Sequence, residues 1–140
     1  MALCLLWAFD LGSKEDYCAF LDSMFLDSPN DDFLFDLENL TSDKPATLIR
    51  LRNLDFLCGE FDEDKFGREL FLRLAKFCDS GAVTIQEFCE RCYSLWNSLP
   101  VPIDMNDPFD TLCYASDLAD DSARQRELLQ YAFDYYKETT

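Results

Sequence analysis

Cys89 and Cys92 form a Cys-x-x-Cys pair, the spacing of half a zinc site or of a dithiol redox couple. No second such pair follows, and the chain has no histidine to complete a ligand set. A redox pair also needs an exposed helix start, whereas this one falls in the middle of a helical pattern, so core packing is the expectation. Calcium is the next chemistry to test. Asp79 to Phe88 carries the glycine, the following hydrophobic and the terminal Glu87 of an EF-hand loop. That frame puts Lys76 at the first ligand position and Cys78 at the third, where carboxylates must bind the ion. A second frame over Asp62 to Gly67 places Arg73 where the bidentate glutamate belongs. Without histidine no Ser-His-Asp or Cys-His set can be built, and no glycine loop cradles a phosphate. The expectation is a protein with no catalytic residues, no metal and no cofactor, acting on no small-molecule substrate.

What the chain has in excess is carboxylate. There are 28 acids against 12 bases, a formal net charge of −16. Such a chain repels nucleic acid and anionic membrane, both polyanions, and attracts a basic protein. The acids cluster at Asp31, Asp32 and Asp36, at Asp62, Glu63 and Asp64, at Asp104, Asp107 and Asp110, and at Asp117, Asp120 and Asp121. Several of these lie at helix starts, where a carboxylate serves the local backbone and the helix dipole. An interface would add aromatic anchors to the acids. Tyr114, Tyr131, Tyr135 and Tyr136 share the C-terminal quarter with the last clusters. The partner-binding candidates are therefore Asp104, Asp107, Asp110, Tyr114, Asp117, Asp120 and Asp121.

The elements that must position these residues read as helices. Thr84 and Glu87 have capping-box spacing, and Ile85, Phe88, Cys89, Cys92, Leu95, Trp96 and Leu99 follow as one apolar stripe until Pro100. The aromatic weight of Phe88 and Trp96 makes this a central packing helix. Ser13 and Asp16 repeat the cap more weakly before Tyr17, Phe20, Leu21 and Met24. After a turn at Asp27 to Asp31 comes a short acidic helix with Phe33, Leu34 and Leu37. Pro45 opens a helix to about Leu57, with Leu48, Leu51 and Leu54 inward. Gly59 to Asp64 forms a turn and helix entry for the stripe Phe66, Leu70, Phe71, Leu74, Phe77 and Cys78, which ends near Gly81. Residues 100 to 106 form an irregular loop. Asp107 then caps a helix with Pro108 at its first position, and Ser122 caps a last one bearing Leu128, Leu129, Ala132, Tyr135 and Tyr136. The apolar run Ala2 to Phe9 fits a buried strand or a first helix, since periodicity does not separate them.

The fold class is thus all-α: a single-domain antiparallel bundle of about six to seven helices over residues 1–140. A chain of this length buries roughly two-thirds of its unfolded surface. Residues 13–40 echo 84–118, which an internal duplication and chance likeness of amphipathic helices explain equally well. Seven cysteines, an odd number, follow no secretory pattern, and the expectation is reduced thiols in the cytoplasm.

The segment Phe71 to Trp96, with a helix, a small-residue turn, Val83-Thr84-Ile85-Gln86-Glu87-Phe88 and then Glu90-Arg91, resembles the bacterial colicin D-type immunity proteins. The likeness extends over about residues 66 to 137 and has no counterpart in the N-terminal 60 residues. It implies a small helical cytosolic antitoxin that binds and blocks a basic nuclease toxin, often one cutting tRNA, by covering its cleft with an acidic surface. The alternative is an acidic helical adaptor whose partner lies in an apolar groove. Charge-based binding weakens steeply with salt and groove binding does not.

Overall fold

Apolar side chains that recur every three or four residues leave a helix with one face to bury, and the chain folds by bringing such faces together. A computed structural model describes residues 2–52, 62–99, 103–118 and 120–137. Among them the chain is all-helical, with eight α-helices: α1 (Ala2–Ala8), α2 (Lys14–Asp27), α3 (Asp32–Asn39), α4 (Lys44–Arg52), α5 (Glu63–Asp79), α6 (Ile85–Trp96), α7 (Thr111–Ser116) and α8 (Ser122–Asp134). A single 3₁₀ turn, Ile103–Met105, precedes α7. The count exceeds the expected six to seven because the opening apolar run is itself a helix.

Local chemistry sets most of the boundaries. Ser13 Oγ accepts from the Asp16 amide at 3.1 Å, and Thr84 Oγ1 from the Glu87 amide at 3.1 Å, so both predicted caps form. Asp31, Asp43 and Asp62 cap α3, α4 and α5 in the same way. The cap of α8 is Asp121, which accepts from the Arg124 amide at 3.0 Å, so Ser122 lies inside the helix rather than at its cap. Between α5 and α6 the turn passes through Gly81 at φ +70°, a left-handed conformation that glycine adopts without a Cβ clash.

The predicted stripe of α6 is the face it buries: Phe88, Cys89, Cys92 and Leu95 are inaccessible, and Leu99 continues them. α6 packs most extensively on α7, and α7 in turn on α8. α5 is long enough to meet both ends of the fold, touching α1 on one side and α8 on the other. Its Phe66 and Phe71 stack toward Phe109 at 5.8 and 5.6 Å, and Phe77 meets Phe88 at 6.3 Å. α1 is as buried as α6, with Cys4, Leu5, Leu6 and Trp7 all covered, and it contacts α2, α4 and α5. Trp7 stacks on Tyr17 at 4.9 Å. In the predicted helix from Pro45, Leu48 packs against the core; Leu54 and the Gly59 turn lie outside the described residues, as does the side chain of Leu51.

Candidate functional site

The loop between α6 and α7 carries three of the seven candidates, and side-chain contacts from α5, α6 and α8 hold it. Trp96 donates its indole N–H to the carbonyl of Asp104 at 2.8 Å. Asn106 donates to Glu63 at the start of α5, also at 2.8 Å. The first contact explains why Trp96, on the edge of the α6 stripe, is an aromatic with a polar handle.

Asp107 was expected to cap a helix with Pro108 at the first position. The structure differs: the Asp107–Pro108 peptide is cis, residues 107–110 form a turn, and α7 begins at Thr111. Asp110 precedes α7 without a side-chain cap. The reason is that Asp107 has other partners. Tyr131 on α8 donates its hydroxyl to Asp107 Oδ2 at 2.7 Å. The Asp110 carboxyl lies beside that of Asp107 and is raised above the usual carboxylate range by desolvation first, then by the Asp107 charge and the hydrogen bond that its protonated form can donate to Asp107. The same carboxylate holds the Tyr131 phenol in its protonated form. Asp107, Asp110 and Tyr131 thus form one unit, brought together because α8 doubles back along α7: Gln125 reaches the Ala115 carbonyl at 3.0 Å while Tyr131 reaches Asp107.

Tyrosines surround this unit unequally. Tyr131 is 49% exposed and stands edge-on to Tyr135, which is 38% exposed, at 6.2 Å. Tyr136 is only 8% exposed and packs toward Phe71, so it belongs to the core rather than to a surface. Burial and the nearby Asp64 and Glu63 charges push its phenol up to about 12. Tyr114, on α7, is 56% exposed.

The remaining candidates lie apart from that unit. Asp104 keeps its Oδ1 buried, with no hydrogen-bond partner among the described residues, so that oxygen is not offered to solvent. Asp121 is occupied as the cap of α8. Asp117 and Asp120 are exposed; the Cys113 thiol is raised by desolvation first and then by the nearby Asp117 charge. The other acidic clusters serve local structure: Asp31 and Asp62 are caps, and Asp36 pairs with Arg50 at 3.2 Å. Tyr131 is the residue that sequence reasoning left out of the candidate set. Its signal was present in the tyrosines of the last helix, but its tie to Asp107 crosses 24 positions.

The cysteines of the Cys-x-x-Cys pair are both buried in the α6 stripe. Burial, the first cause, pushes the Cys89 thiol up to about 11 and Cys92 well above its ordinary value. Among the described residues no group of His, Cys, Asp and Glu is arranged to hold a metal ion, and no helix is long and apolar enough to cross a membrane. No protein-family model, curated protein or solved structure matches the chain.

Proposed function

We propose that this chain is an immunity protein, an antitoxin that binds a basic nuclease toxin and covers its cleft. The contact surface is the acidic, tyrosine-bearing edge made by the 103–110 loop and α8 of an antiparallel helical bundle. The observation that carries the reading is the unit of Asp107, Asp110 and Tyr131 beside the exposed Tyr135. Two neighbouring carboxyls, one of them tied to a phenol, offer a fixed pair of acceptors to a guanidinium or ammonium, which would relieve their mutual repulsion. The flanking tyrosine rings supply apolar contact at small entropic cost. A net charge of −16 speeds encounter with a basic partner. The resemblance over residues 71–96 points to the same class, and its site of action would be the cytoplasm.

The test is to co-express the chain with the product of the neighbouring gene and capture the complex at low salt. A stoichiometric basic protein, toxic alone and released between about 0.05 and 0.5 M salt, is the expected partner. Replacing Asp107 and Asp110 together by Asn is expected to weaken binding at least about tenfold, with the exposed Asp22 and Asp27 replaced together by Asn as the charge-matched control. Equal affinity for both variants would refute the assignment. The second reading, an adaptor with an apolar contact, draws on the exposed Leu26, Phe35 and Ile49 of α2 to α4. It predicts binding that survives high salt and is lost on replacing those three by Ser.

A further inference from the structure

At the other end of the fold a half-open cleft of about 440 Å³ lies between α1, the start of α2 and α5. Its volume is in the range of small-molecule sites. Leu3, Leu6 and Phe77 give it an apolar lining, and its polar groups come from two sides with opposite charge. Arg73 and Lys76 line it from α5, while Asp16 lines it from the first turn of α2. Asp16 and Arg73 face each other at 3.9 Å, at the limit of an ion pair, and their side chains are 62% and 36% exposed. Arg73 is anchored on its other side by Glu69 at 2.6 Å. The long pair is therefore a weak contact in water, held at a fixed place by a side chain already oriented.

We infer that this cleft binds a free α-amino acid with an apolar side chain. The ligand carboxylate takes Arg73 and Lys76, its ammonium takes Asp16, and its side chain lies on Leu3, Leu6 and Phe77. A zwitterion matches two rims of opposite sign, whereas a simple anion meets the Asp16 carboxylate and a simple cation meets Lys76. Insertion replaces one long ion pair by two short, charge-assisted contacts. The site is distant in sequence from the acidic edge and makes no use of it, so the two assignments stand or fall separately.

The probe is leucine or phenylalanine added to the intact chain, read by thermal denaturation and by backbone and methyl NMR shifts. At about 20 times the dissociation constant the midpoint is expected to rise by about 5 °C. Glycine, N-acetyl-leucine and leucinamide, which lack the side chain, the ammonium and the carboxylate charge, are each expected to give less than a third of that rise. Lys76→Ala and Asp16→Asn should fold as the parent does, since both positions are exposed, and should each weaken binding about tenfold. NMR shifts should centre on Leu3 and Phe77. No saturable shift with either amino acid overturns the proposal. So does an equal response to N-acetyl-leucine, which would make the ligand a plain carboxylate, or an equal response to glycine, which would make the effect a bulk one.

Discussion

Gly67 offers a prediction whose sign can be reversed. It lies buried in the second turn of α5, inside the helix, where glycine costs ~1 kcal/mol of helix stability relative to alanine. A methyl group there would collide with the Tyr136 hydroxyl and approach its Cζ and Cε2 to 2.5 and 2.6 Å. That ring has little room to move, being packed against Phe71 at 6.3 Å and Tyr135 at 5.0 Å. Overpacking of a held ring costs about 3 kcal/mol, at the upper end of the usual range. Gly67→Ala is therefore expected to destabilise by ~2 kcal/mol net in the parent chain. With Tyr136→Leu in the background the collision is gone, and the same change should stabilise by about 1 kcal/mol. Urea unfolding followed by circular dichroism on the four chains gives the cycle, with a coupling of ~3 kcal/mol expected between the two positions. If Gly67→Ala has the same sign in both backgrounds, the close approach of α5 and α8 at this point is wrong. The stakes extend to the candidate site, because Tyr136 packs just beyond the end of α8, which carries Tyr131 and is followed by Tyr135.

Three further outcomes follow from the geometry. Asp110 has a raised carboxyl pKa, so its share of stability is complete at low pH and is lost as pH rises through its folded-state value. Asp107→Asn should return the Asp110 carboxyl toward the ordinary range and flatten that part of the pH–stability curve, seen by carboxyl-carbon NMR titration and by unfolding across pH 3 to 7, a range of about four units around the carboxylate values. Trp96→Phe keeps an aromatic ring but loses the pyrrole part of the indole and its bond to the Asp104 carbonyl, which should cost at least about 1 kcal/mol by urea unfolding and broaden the amide signals of residues 103–107. Cys89 and Cys92, buried and held as thiols, should resist iodoacetamide in the native chain and react once it is unfolded in urea, with the sites read by peptide mass spectrometry. Rapid native alkylation of Cys92 would contradict its place in the core.

Where most helices begin and which face they bury is legible in the residue order alone. Those are local matters: Ser13 and Thr84 meet amides three residues on, and the Phe88–Cys92–Leu95 stripe is set by a period of 3.6. Helix against strand for Ala2 to Ala8 was not local, because a run apolar on every side has no period; contact with α2, α4 and α5 decided it. The candidate site shows the same division. Composition made carboxylates and tyrosines the material of the candidate face. Which carboxylates are available is a tertiary result: Asp121 is taken by its own helix, Asp104 is half turned inward, and Asp107 leaves the helix start it was expected to cap. It does so because α8, folding back along α7, brings the Tyr131 hydroxyl within 2.7 Å, a partner that no short-range pattern could reveal.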